Sequence, residues 1–282
     1  MRSLVFAGLA FLLAAGFAWG EVKGSFEANG KKVPLTHGYA LQYDNEEKLI
    51  EGPELRILLV DREIDPALLG LAVPMQLNQM AAEGKLCGVL LRSVKSDDGY
   101  AMHGTVFYRP EDPRQSMIFF THSGTEPVFK RLDVTNGQVS GEVEEASESS
   151  DDSPTYAFNL SFSMPVLKRD AVTEHFKGAE AASSAPAKAF LAFNKACLAG
   201  DIDAARKLSN EARIAEMDAA IKQMGKDAFL KQAAQWIPEP AKLIKQIVEV
   251  VVHGKRAVIV LDEDGSRNGI DLTKDGDTWK VE

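Results

Sequence analysis

The chain has 282 residues, 45% apolar and 26% charged, enough for one large domain or two ordinary ones and unlike a disordered chain. Acidic residues outnumber basic ones, 41 to 32, which argues against a nucleic-acid surface, since phosphate contacts need clustered Lys and Arg. Two cysteines exclude a disulfide scaffold and a multi-cysteine zinc site.

Residues 1–20 read as a secretory signal. Arg2 supplies the positive start, residues 4–15 are apolar, and Ala18 and Gly20 place small residues before a cut at Glu21. A retained anchor would need about 20 apolar residues, and this run is shorter. No later stretch reaches about 18, so the mature chain is expected to be soluble, exported to the periplasm or secreted, and not stably inserted in a membrane. The acidic excess falls in residues 21–165, while residues 166–282 are balanced. That asymmetry argues for two units.

The first unit reads as β-structure. Asn29-Gly30 and Asn136-Gly137 mark tight hairpin turns. Residues 55–60 form a dense apolar run, expected as a buried strand. Residues 100–108 alternate, residues 117–120 are apolar on both faces, and Tyr156, Phe158, Leu160 and Phe162 alternate with small and polar residues. Between these strands, Asp65 can cap a helix with Pro66 at its first position. Pro74 then breaks the apolar face, which predicts two short helices or a kinked one ending near Gly84. The acidic run 142–152 lacks the spaced carboxylates of a calcium loop and reads as a solvated hairpin tip.

Residues 177–188 are rich in Ala, Ser and Gly and hold no large apolar side chain, which reads as a linker. Beyond it the period is helical. Phe190, Phe193 and Cys197 share a face, Gly200 can end that helix, and Asp201 can cap the next. Two more helices follow, over Ile214, Met217, Ile221 and Met224 and over residues 228–236, the last stopped by Pro238 and Pro240. The period then changes to two, giving four strands near 247–252, 257–261, 269–272 and 278–281. The expected fold is α+β. It comprises a mostly antiparallel β sandwich or barrel with a helical insertion over 21–168, a linker over 169–186, and helices packed on a four-stranded antiparallel sheet over 187–282.

Phe193, Ala196, Gly200-Asp201, Ala204, Ala205 and Leu208 resemble the opening helices of nuclear-transport-factor-like domains of exported bacterial proteins. The ending Gly276-Asp277-Thr278-Trp279-Lys280-Val281 resembles their final hairpin strand. The resemblance covers residues 187–282. It implies a cone, a curved antiparallel sheet wrapped by helices, with a pocket at its open end. The family includes enzymes, binding proteins and domains without a known ligand. Its catalytic members place Asp, His or Tyr in the pocket, and no motif here carries such residues over. The extra helical segment before the sheet departs from the commoner order. The first half carries no such resemblance.

Catalytic signatures are absent: there is no Gly-x-Ser-x-Gly elbow, Ser-x-x-Lys, His-Glu-x-x-His or phosphate loop. His37, His103, His122, His175 and His253 are scattered, and His122-Ser123-Gly124 reads as a strand followed by a turn. Asp262, Glu263 and Asp264 before Gly265 read as a polar hairpin turn rather than a cation loop. Cys87 and Cys197 both sit in apolar surroundings and are expected to be unbridged. Phe190, Phe193, Met217, Ile221 and Trp236 are available to fill the space against Val250, Val252, Val258 and Val260. If that space holds a ligand, Trp236 and Phe193 are the candidate binding residues, with Pro238 and Pro240 holding one side open. No catalytic residue, metal or cofactor is assigned. The reading is an exported, non-enzymatic protein binding an unknown small apolar molecule or a partner protein of the envelope. A hydrolase or isomerase with an unrecognised pocket and a structural interaction module of the cell envelope are the alternatives.

Overall fold

The computed structural model describes residues 20–49, 52–71, 75–96, 99–108, 117–122, 129–147 and 155–282. Residues 1–19 of the expected export signal, Pro74, the expected turn at Ser123-Gly124, the side chain of His122 and residues 148–152 of the acidic run lie outside the described residues.

The first half builds a mixed sheet from β1 (Glu21–Ala28), β2 (Lys31–Lys32), β3 (His37–Tyr43), β4 (Glu54–Val60), β5 (Gly88–Ser96), β6 (Gly99–Phe107), β7 (Met117–His122), β8 (Phe129–Thr135), β9 (Gln138–Ala146) and β10 (Tyr156–Lys168). The hydrogen-bonded order is β2-β1-β10-β3-β4-β5-β6-β7, with β9 on β10 and β8 on β9. β10 is the branch point. Phe158 lies opposite Phe26 of β1 and Glu145 of β9, whereas Val166 runs parallel to Ala40 of β3. Pro165 forms the last pair with β9, a ladder end where a residue without an N–H is tolerated.

This branching lets the sheet cover itself. Ile57, Leu59, Val89, Leu91 and Val106 share one core with Phe26, Phe158, Leu160 and Phe162. The other face of the same strands carries Leu41, Leu58, Val60, Leu90 and Phe107, which pack on Leu68, Leu69, Leu77 and Ala81. Those partners come from a 3₁₀ turn (Pro66–Gly70), whose Ala67 N–H donates to the Asp65 side chain at 2.9 Å, and from α1 (Met75–Ala82). Burial on both faces explains why residues 57–60 of β4 read as a continuous apolar run rather than an alternating one. Both Asn-Gly turns form as expected, each with its asparagine and glycine at positive φ.

The second half follows β11 (Val172–Lys177) with α2 (Ala179–Ser183), α3 (Ala185–Leu198), α4 (Ile202–Lys207), α5 (Glu211–Met224), α6 (Lys226–Trp236) and α7 (Pro240–Gln246). The strands β12 (Ile247–His253), β13 (Arg256–Glu263), β14 (Ser266–Asp275) and β15 (Thr278–Val281) then complete an antiparallel sheet ordered β11-β12-β13-β14-β15. Gly200, at φ +70°, ends α3, and the Asp201 side chain accepts from Ala204 N–H at 3.0 Å to start α4. The fold class is α+β.

Three local expectations are corrected. Residues 169–186 are not an extended linker. They hold β11, α2 and the start of α3, so the second sheet has five strands rather than four. The small residues there are packing residues: Ala181 and Ala187 are fully buried, and Ser184 caps α3. Close helix–sheet packing and a flexible connector share that composition, so composition misleads. Pro240 does not only stop α6. It opens α7, at a position where a missing N–H costs no helical bond. Finally, Val258 and Val260 do not join Val250 and Val252 beneath the helices. Paired residues share a face of the sheet, and Val250 pairs with Ile259 while Val252 pairs with Ala257. Ala257 and Ile259 therefore complete the helix-facing core.

Candidate functional site: a cavity between helices and sheet

The face of α3 that carries Phe190, Phe193, Asn194 and Cys197 does not close completely on the sheet. A cavity of about 710 Å³ remains, within the range of small-molecule sites. Residues three and four apart lie on one side of a helix, and α5 brings Arg213, Glu216, Met217, Ala220 and Met224 to the cavity in that way. α6 adds Phe229, Gln232, Ala233 and Trp236, and α7 adds Leu243 and Gln246. The sheet contributes Leu261, Asn268, Ile270 and Val281.

Both candidate ligand residues line this cavity. Phe193 is buried in the core of the second half, with the Arg213 guanidinium 5.8 Å from its ring centroid. Trp236 ends α6 and is 78% exposed, an unusual state for so large an apolar side chain. The backbone turns extended at Ile237, so Pro238 also reaches the lining. Trp279, by contrast, is buried in the core.

One side of the cavity is completed from the first half. β15 pairs with β14 over Leu272 through Asp275, and among the described residues no strand lies beyond the earlier part of β14. Leu71 and Gln76 line the cavity together with Asp271 and Glu282. The Gln76 side-chain N–H donates to Glu282 Oε2 at 3.2 Å, and Glu282 N–H donates to the Asp271 carbonyl at 3.1 Å. The Glu282 side chain is only 6% exposed, and Arg256 Nη1 stands 3.9 Å from Oε1, too far for a hydrogen bond. Burial pushes the Glu282 carboxyl up to about 7. The Arg256 charge opposes that shift, and the Asp271 and Asp65 carboxylates add to it. Nothing in the sequence marked Glu282 or Gln76, because their contact joins residues 206 positions apart.

The remaining ionic groups of the lining are already engaged. Arg213 pairs with Glu216 at 3.0 Å, and Glu263 accepts from Lys242 and Gln246, each at 3.2 Å. Burial pushes the Cys197 thiol up, against the pull of Arg213, so it is not an activated thiolate. Among the described residues the lining holds no His, Ser, Tyr or Lys, and no group of three His, Cys, Asp or Glu is placed to share a metal ion. Cys87 and Cys197 are both buried, in different halves, and no disulfide joins them.

A second cluster of ionisable groups lies where the two halves meet. The Glu47 carboxylate, fully buried, accepts from Tyr43 at 3.1 Å, Arg169 at 2.7 and 3.0 Å, and His253 Nε2 at 3.0 Å. Burial alone would raise the Glu47 carboxyl. The His253 hydrogen bond and the Arg169 charge outweigh it and bring it down to about 2. The Tyr43 ring lies between the Arg56 and Arg169 guanidiniums, at 3.7 and 4.5 Å. Arg56 pairs with buried Glu54 and donates to the carbonyls of Leu69 and Leu71. His175 and Arg267 both reach Glu249 on the second sheet. Every carboxylate of this cluster has an arginine partner.

Asp262 accepts from Gly265 N–H at 2.9 Å across the β13–β14 turn, the hairpin role expected of it. No described helix is long and apolar enough to cross a membrane. No family model, curated protein or solved structure matches the chain.

Proposed function

We propose that this is an exported, non-enzymatic protein whose second half binds a small, mainly apolar molecule between its helices and its sheet. The observation that carries the reading is the cavity of about 710 Å³ with Phe193, Met217 and the exposed Trp236 in its lining. The likeness to nuclear-transport-factor-like domains rests on the residues of the Gly200-Asp201 junction and the final hairpin, and β11 ahead of the helices departs from a helices-then-sheet order. Export rests on the pattern of residues 1–20. Apart from Asp271 and Glu282, the polar groups of the lining are amides, paired ions and a protonated thiol, which favours holding a molecule over transforming one.

The test uses the neutral fluorophore N-phenyl-1-naphthylamine. Its emission should rise and shift to the blue on titration with the protein, with saturation. Trp236→Ala and Phe193→Ala should each weaken the titration several-fold, and Trp279→Phe should not. No enhancement, or enhancement indifferent to both substitutions in folded protein, contradicts the proposal.

A further inference from the structure

The chemistry of the cavity wall narrows what the cavity can hold. This step rests on the binding role proposed above. Arg213 is the one cation among the described lining residues, and Glu216 neutralises it. Asp271 and Glu282 both line the end closed by Gln76, so a ligand anion would meet carboxylates there without a free cation. A fatty carboxylate or a phosphate ester is therefore disfavoured. Glu282 is a buried acceptor of which Oε2 takes one hydrogen bond, from Gln76, while the Arg256 guanidinium stops 3.9 Å short of Oε1. Arg256 Nη1 is itself buried without a hydrogen-bond partner, so neither group satisfies the other. Much of the rest of the wall is apolar, with the aromatic rings of Phe190, Phe193 and Trp236, and aromatic faces tolerate an organic cation.

We infer that the cavity takes an amphipathic amine, with its apolar body among the aromatic side chains and its ammonium donating to the Glu282 carboxylate. A protonated amine supplies Oε1 with the charged hydrogen-bond donor that Arg256, at 3.9 Å, does not. Charge-assisted bonds of this kind are about twice as strong as neutral ones.

Binding also has a predicted pH dependence. The groups facing Glu282 are Gln76, Arg256, Asp271 and Asp65. Because burial holds the Glu282 carboxyl near 7, an ammonium must displace a proton there below that pH, and does not have to above it.

Calorimetry with octylammonium, octanol and octanoate separates the outcomes. At about pH 8, octylammonium should bind the full-length protein at least about tenfold more tightly than octanol, the equivalent of about 1.4 kcal/mol, and octanoate should bind most weakly. Octylammonium should weaken by several-fold from about pH 8 to about pH 6, with octanol nearly constant. Glu282→Gln should abolish the preference for octylammonium. Equal affinities for octylammonium and octanol in the wild-type protein, or tighter octanoate binding, would overturn the amine inference and leave the apolar cavity standing. Failure of all three ligands and of N-phenyl-1-naphthylamine would remove the cavity reading itself.

Discussion

His253 Nε2 lies 3.0 Å from the Glu47 carboxylate, and the two side chains, 206 residues apart in sequence, are 2% and 0% exposed. On its other side, His253 Nδ1 faces the Asp170 carbonyl at 2.8 Å. The second sheet is thus held to the first by buried polar contacts of His253 that neither half can complete alone. Glu46 Oε2 stands 3.6 Å from the same nitrogen, and Arg267 donates to the Glu47 carbonyl at 2.9 Å.

Removing one partner of a buried pair leaves the other uncompensated. Glu47→Ala should therefore cost about 3 kcal/mol or more, read as a lower denaturant midpoint. Glu47→Gln should also change the acid limb. The unfolded carboxyl protonates near 4.5 and the folded one near 2, so its contribution is present above about 4.5 and is lost as pH falls through about 2. The wild-type protein should lose stability more steeply than Glu47→Gln between those values. Matching acid limbs would show that Glu47 is not the coupled group.

Glu282 has the opposite sign. Its folded value is raised to about 7, so the folded chain holds a proton that the unfolded chain has released. Its contribution is fully present below about 4.5 and is lost as pH rises through about 7. Glu282→Gln should gain of order 2 kcal/mol over the wild-type protein at about pH 8 and little at about pH 4. Urea unfolding at the two pH values decides this, and a variant less stable at both would contradict it.

Residues 177–188 should resist limited proteolysis. Their backbone is committed to β11, α2 and α3, and Ala181 and Ala187 are buried. Trypsin under native conditions should leave Lys177 and Lys188 uncut for as long as the protein is folded. Early, selective cleavage at either would restore the linker.

What the sequence made legible was local. The alternation of Tyr156 to Phe162, the Asn-Gly turns, the Gly200-Asp201 junction and the final strands all follow from short-range periodicity and backbone preference, and the structure places each where expected. β11 was missed because its six residues carry no clean alternation and it pairs with β12, some 75 residues later. The face assignment of β13 failed because the hairpin register, not β-propensity, decides which valines point inward. Trp236 and Phe193 were readable as cavity candidates from helix spacing and the prolines that follow. Glu282, Gln76 and the Glu47–His253 joint were not, since each depends on how the two halves of the chain meet.

The central claim is that a ligand enters this cavity and not some other apolar surface. Methionine methyl groups report on it directly. Met217 and Met224 line the cavity, whereas Met102 and Met164 lie in the core of the first half. In protein labelled with carbon-13 at the methionine methyls, octanol should shift the Met217 and Met224 resonances saturably and leave Met102 and Met164 in place. Four unmoved resonances, or shifts as large at Met102 and Met164, would contradict the account.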